Sequence, residues 1–220
     1  MTDIIRQTAF NAAIFDLDGT LFDSMWFWSG IDERFLARKG INEVPEDYLL
    51  AIAHLGVEET AKYTKERFNL IETPEEMMKE WYGEALLFYK NDVKFKKGAY
   101  EYLKRLYDRG VKLAIATASQ EDLFMPALVR LGADKFFSAC ATVGECGRTK
   151  EYPDIYELAC RKLGVSTAET VVFEDICAAI CGAKSGGFVT VGVYDSVSAR
   201  DEAFIREKAD LFIMSFEELL

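Results

Sequence analysis

The stretch Ala12-Ala13-Ile14-Phe15-Asp16-Leu17-Asp18-Gly19-Thr20 decides how this chain is read. Ala12 to Phe15 form a short apolar run that ends at Asp16, the pattern of a buried strand. Asp18-Gly19-Thr20 then breaks it with residue types that favour a turn. The strand therefore delivers two carboxylates, Asp16 and Asp18, to its carboxyl end.

Beyond this strand the period becomes helical from Met25 to about Asn91. It predicts helices at Trp26–Lys39, Asp47–Leu55, Glu58–Phe68 and Pro74–Tyr89, with Pro74 suited to a first turn. After Asn91 short apolar runs alternate with helices. A helix at Gly98–Arg109, stopped by Gly110, precedes a strand at Val111–Ala116. Then come a helix at Asp122–Leu131, a strand at Phe136–Val143, a helix at Pro153–Leu163 and a strand at Thr170–Phe173. A helix at Ala178–Ser185, a strand at Val189–Val193, a helix at Ala199–Lys208 and a strand at Leu211–Ile213 complete the series. Such alternation indicates an α/β fold, a doubly wound parallel sheet covered on both faces. The helical block interrupts it just after the first strand, as an inserted α-helical cap would. The expected domains are 1–24 with 92–220 as the α/β core, and 25–91 as the cap.

Composition narrows the function. The 220 residues are half hydrophobic and 29% charged, enough for a sizeable core. A formal net charge of -11 repels nucleic acid and anionic lipid, so neither is an expected partner. No apolar stretch approaches the roughly 18 residues of a membrane span. Five cysteines and a mixed-charge Met1 to Gln7 predict free thiols in a reducing, cytoplasmic setting. With His54 as the one histidine and no CxxC, a structural zinc site is not expected.

In an open parallel sheet, ligands bind beyond the carboxyl ends of the strands. Four carboxylates (Asp16, Asp18, Glu174, Asp175) and the hydroxyls of Thr117 and Ser119 fall there, and Lys150 sits just before the helix that begins near Pro153, so its ammonium can converge on the same crevice. Four close carboxylates call for a compensating cation, and oxygen donors alone favour magnesium over zinc. A nucleophile, a metal clamp and a fixed ammonium are what phosphoryl transfer needs. Taken singly, each feature has a plain structural use as a turn, a helix cap or a solvated lysine. Their joint placement at strand ends carries the functional reading.

The same residues resemble the haloacid dehalogenase superfamily. Asp16-Leu17-Asp18-Gly19-Thr20-Leu21-Phe22-Asp23-Ser24 is similar to its first signature, and Leu113 to Thr117 to its second. Lys150-Glu151-Tyr152-Pro153-Asp154 resembles the segment that carries the family lysine. Val171-Val172-Phe173-Glu174-Asp175 resembles the acidic fourth signature. The helical insertion is most similar to the beta-phosphoglucomutase and phosphoglycolate phosphatase branch.

The resemblance implies a magnesium-dependent phosphatase acting on a small phosphorylated metabolite, as a monomer or small homo-oligomer. Asp16 is implied as nucleophile and Asp18 as general acid and base. Asp16, the Asp18 backbone carbonyl and Asp175 are implied as holders of Mg2+, with Glu174 ligating directly or through water. Thr117, the Ala118 and Ser119 amides and Lys150 are implied to hold the phosphoryl oxygens. Ile176, Ala179 and Glu151 depart from the usual pattern, which has Ser, Gly and Pro. A sugar phosphomutase of the beta-phosphoglucomutase type is the rival reading. Trp28 stands where such chains usually carry histidine, and Glu59 where they carry an arginine for the distal phosphate, so hydrolysis is favoured. Phe22, Met25, Trp26 and Trp28 either shape a pocket or form the cap's own core.

Overall fold

The computed structural model describes Ile5, residues 9–52 and residues 55–220. His54 lies outside the described residues. The chain divides into two compact units: one runs to Trp26 and resumes at Val93, and the other is Phe27–Asp92.

The first unit is built on six parallel strands. They are β1 (Ala12–Phe15), β2 (Lys112–Thr117), β3 (Phe137–Thr142), β4 (Thr170–Glu174), β5 (Val189–Val193) and β6 (Leu211–Ile213). Their order in the sheet is β3-β2-β1-β4-β5-β6, so the fold is a doubly wound α/β sheet. All four residues of β1 are fully buried, as a central parallel strand requires.

Alternation along each strand sends side chains to two cores. Ala12, Ile14, Ala114, Ala116 and Val172 pack with Ile155, Tyr156 and Ala159 of the helix Asp154–Leu163. On the other face Phe15 stacks on Phe173 at 4.5 Å between ring centroids, and both meet Tyr102 and Phe216. Tyr102 comes from the helix Ala99–Asp108, whose buried Ala99, Tyr102, Leu103 and Leu106 form one stripe at helical spacing. Burying an aromatic ring of this size stabilises the fold by roughly 2–3 kcal/mol.

The second unit is helical. The single aromatic-rich helix expected at 26–39 is two, Met25–Ser29 and Ile31–Arg38, divided at Gly30. Glycine is a weak helix former, and Gly30 has φ -114° and ψ 10°, off the helical path. The helices Glu46–Ile52, Val57–Phe68 and Pro74–Asn91 follow. Thr73 caps the last one: its hydroxyl accepts from the Glu76 amide at 3.2 Å and Glu76 accepts from the Thr73 amide at 2.8 Å. Phe27 stacks on Phe88 at 4.2 Å and is crossed by Arg34, while Phe35 meets Trp81 edge-on.

The early aromatics therefore divide their roles. Phe22 is buried in the sheet unit against Phe95. Trp28 donates to the Tyr89 hydroxyl at 3.0 Å, and Trp26 is 55% exposed. Among the described residues, no helix is long and apolar enough to cross a membrane.

Candidate active site

β1 and β4 are neighbours at the centre of the sheet, where the order of connection reverses. Their register pairs Phe15 with Phe173, so Asp16 and the pair Glu174-Asp175 emerge side by side. The Asp16 amide donates to the Phe173 carbonyl at 3.1 Å and locks that level. This is the position at which open α/β sheets bind ligands.

Carboxylate oxygens of Asp16, Glu174 and Asp175 all lie within 4.8 Å of one another, and all three residues are buried. Lys150, from the loop before the helix Asp154–Leu163, pairs with Asp16 and with Glu174, the latter at 2.7 Å. One ammonium thus faces three carboxylates. Burial pushes the Glu174 carboxyl up to about 8 and the Asp175 carboxyl up to about 7, with the charge of Asp16 adding to both. Burial also raises Asp16. Burial works against the Lys150 ammonium, but the charges of Asp16 and Glu174 outweigh it and hold the group above its ordinary range.

Glu174 indicates what the site can hold. Its Oε1 accepts from Lys150 at 2.7 Å and from the Tyr156 hydroxyl at 2.9 Å, whereas Oε2 is buried without a hydrogen-bond partner. A bare, buried carboxylate oxygen beside two further carboxylates fits a divalent cation, and an all-oxygen donor set fits a hard one. All five cysteines are free thiols, and none joins a metal-binding group among the described residues.

Three of the four expected carboxylates meet in this group; the Asp18 side chain stands apart. Its Oδ1 accepts from Ser24 at 2.7 Å and its Oδ2 from Ser119 at 2.7 Å, in a half-buried position. Asp16 and Asp18 therefore occupy different environments, which suits different roles. The turn between them and Ser24 closes through the Phe22 amide on the Leu17 carbonyl at 2.7 Å. Gly19 takes φ +83° there, and a Cβ on it would lie 2.2 Å from Asp175 Oδ2.

Thr117 ends β2 in a fully buried position, and its Oγ1 accepts from the Ser119 amide at 3.1 Å. That amide, expected to face phosphate, is engaged inside the loop here. Ala118 is exposed between them. Of the departures from the family pattern, Ile176 is 41% exposed and gives the helix Cys177–Ser185 no side-chain cap. Ala179 is buried and its carbonyl accepts from Tyr156 at 3.4 Å. In the helical unit, Lys39 pairs with Glu72 at 2.9 Å, and Lys65 donates to the Leu70 and Glu72 carbonyls at 2.9 and 2.6 Å.

Sequence reasoning did not single out Tyr156, Ser198 or Gly182. Tyr156 sits on the apolar stripe of its helix, where an aromatic reads as core. Ser198 donates to Asp175 Oδ2 at 3.3 Å from a loop with no pattern of its own. Gly182 lets its helix approach the Lys150 loop: a Cβ there would lie 2.1 Å from the Lys150 carbonyl oxygen.

Comparison with known proteins agrees with this geometry. A family model described as haloacid dehalogenase-like hydrolase matches residues 13–193. The phosphorylated carbohydrates phosphatase of Thermotoga maritima is 27% identical over 210 residues, 95% of this chain and 96% of that protein. The pyrophosphatase PpaX of Halalkalibacterium halodurans is 31% identical over 125 residues, and the match spans 56% of this chain and 57% of that one. The solved beta-phosphoglucomutase of Clostridium difficile shares the fold, with a TM-score of 0.71 and 23% identity over 96% of this chain and 93% of that one. The extent of the family match, from inside β1 to the end of β5, shows that the chain belongs to the haloacid dehalogenase-like hydrolases.

Proposed function

We propose that this haloacid dehalogenase-like phosphatase hydrolyses the phosphate ester of a small metabolite, with magnesium bound and through an aspartyl-phosphate on Asp16. The observation that carries the proposal is the buried group of Asp16, Glu174 and Asp175, which has one ammonium among three carboxylates and a bare Glu174 Oε2. When bound, magnesium supplies positive charge that offsets these carboxylates and the phosphoryl oxygens. Asp16, the Asp18 carbonyl, Glu174 and Asp175 are the groups that would hold it.

In the first step a carboxylate oxygen of Asp16 forms a bond to phosphorus while the bond from phosphorus to the leaving oxygen breaks. Asp18 gives its proton to that oxygen. In the second step a water forms a bond to phosphorus, its proton passes to Asp18, and the Asp16–phosphorus bond breaks. Ser24 and Ser119 hold the Asp18 carboxylate by both oxygens, which fixes its direction for both transfers. Lys150, Thr117 and the Ala118 amide take the phosphoryl oxygens, while the Ser119 amide holds the Thr117 hydroxyl in place. Trp28 has an indole bonded to Tyr89, a group unable to relay protons as a mutase would need.

Two linkers join the helical unit to the sheet unit. The two chain crossings into it run side by side, since the Asp23 amide donates to the Lys94 carbonyl at 2.9 Å and Phe22 bridges to Phe95. In this proposal the paired linker is where the chain can hinge between the units.

The test is a panel of sugar phosphates, nucleotides, phosphoglycolate and phosphopeptides, assayed with magnesium and with excess chelator. Magnesium-dependent release of phosphate from small esters, absent in Asp16→Asn, is expected. Full turnover in chelator, or a clear preference for phosphopeptides, overturns the proposal.

A further inference from the structure

A second, largely buried ion pair, a half-buried Lys96 on a buried Asp195, lies in the sheet unit, outside the residues that carry the chemistry. Lys96 Nζ is 2.8 Å from Asp195 Oδ2 and donates to the Tyr194 carbonyl at 2.5 Å. The side chains are 14% and 5% exposed. The Lys96 amide donates to the Leu21 carbonyl at 2.7 Å. One residue therefore ties together two loops, the one that follows β1 and the one that follows β5.

Each of these loops places a hydroxyl on Asp175. Thr20, next to Leu21, donates to Asp175 Oδ1 at 3.2 Å. Asp195 Oδ1 accepts from the Val197 amide at 2.9 Å, a turn that leads directly to Ser198. Ser198 donates to Asp175 Oδ2 at 3.3 Å. The Asp175 carboxylate is thus held by one donor on each oxygen, from the two loops that Lys96 joins. A buried ion pair is a poor source of stability, because removing both charges from water costs about as much as their attraction returns. Its use here is geometric.

We infer that the Lys96–Asp195 pair is a positioning device: it sets Ser198 and Thr20 on Asp175 and so fixes the direction in which that carboxylate meets a divalent cation. The inference rests on the reading of Asp175 as a cation ligand. Groups that orient a metal-binding carboxylate commonly change metal affinity by ten-fold or more when removed. Ser198 acts through Asp175 and not on the substrate.

The experiment is calorimetric titration of Mg2+ into the metal-free protein, with thermal denaturation and circular dichroism of the same samples in chelator. Ser198→Ala is expected to raise the magnesium dissociation constant roughly ten-fold. Its circular dichroism should stay native, with the metal-free melting curve lowered by no more than the loss of one half-buried hydrogen bond. The charge-free pair Lys96→Met with Asp195→Asn leaves no lone buried ion and should weaken binding in the same direction. Adding Ser198→Ala to that pair should weaken it little further, since both act through one carboxylate. Wild-type affinity in Ser198→Ala overturns the inference, as does full additivity in the triple variant. A wild-type protein that binds no divalent cation overturns the active-site reading itself, and this inference with it.

Discussion

Tyr156 donates its hydroxyl to Glu174 Oε1 at 2.9 Å, reaching from the helix Asp154–Leu163 to the last residue of β4. The bond pins one oxygen of Glu174, together with Lys150, and leaves Oε2 bare in the buried carboxylate group. A residue that packs as core on one side thus orients the acidic centre on the other.

Tyr156→Phe keeps the ring packed against Phe188 and removes the hydroxyl alone. The expected loss of stability is about 1–3 kcal/mol, the range for a buried hydrogen bond to a chargeable group. Urea denaturation of the metal-free protein measures it. A gain in stability would show that the hydroxyl does not bond to Glu174.

The raised carboxyls set a pH dependence. A carboxyl whose pKa is higher in the folded state binds its proton more tightly there, so it favours folding at acid pH. For Glu174 and Asp175 that contribution is full below their ordinary values of 4.5 and 3.8. It is lost as pH rises through about 8 for Glu174 and about 7 for Asp175. In chelator the melting temperature should therefore fall between pH 5 and pH 8.5, by roughly 2–4 °C for each kcal/mol lost in a chain of this length. Saturating magnesium should flatten the curve by favouring the ionised forms. A melting temperature that climbs across this window in chelator would contradict the assignment.

Asp16→Asn removes one carboxylate from a group with excess negative charge. The melting temperature in chelator should hold or rise, while turnover falls by on the order of a thousand-fold or more, as expected for loss of a nucleophile. Phosphate release and thermal denaturation on one preparation check both halves. Turnover near wild type would move the nucleophile elsewhere.

Gly182→Ala tests the packing behind Lys150. The added methyl would meet the Lys150 carbonyl oxygen at 2.1 Å and the Glu151 carbonyl carbon at 2.8 Å, and backbone atoms cannot step aside cheaply. The expected cost is about 1–3 kcal/mol from overpacking, with a lower turnover as Lys150 shifts. Unchanged stability and activity would mean that the helix Cys177–Ser185 does not bear on that loop.

Much of the fold was legible because its cues are local. The run Ala12 to Phe15, the stop at Gly110 and Pro74 in a first helical turn each act within a few residues, and β5 and β6 fall at Val189–Val193 and Leu211–Ile213 as expected. The expected helix at 26–39 failed at Gly30, where one glycine outweighed a continuous aromatic periodicity. The motif residues Asp16, Asp18, Thr117, Glu174 and Asp175 are legible from their places at strand ends, and Lys150 from its place just before a helix, with no knowledge of their pairing.

The sequence by itself determined the element types, the parallel sheet and the carboxylates at its carboxyl edge, since these follow from residue-by-residue periodicity and from where each strand stops. Only the tertiary structure decided which groups share the centre. Lys150 reaches Asp16 across 134 positions, and Ser119 reaches Asp18 across 101. It also parted Asp18 from the other three carboxylates and brought Tyr156 and Ser198 into contact with the acidic pair. The physical reason is that hydrogen bonds and charge pairs depend on distances of about 3 Å, which strand order and register set, and no local pattern records those distances.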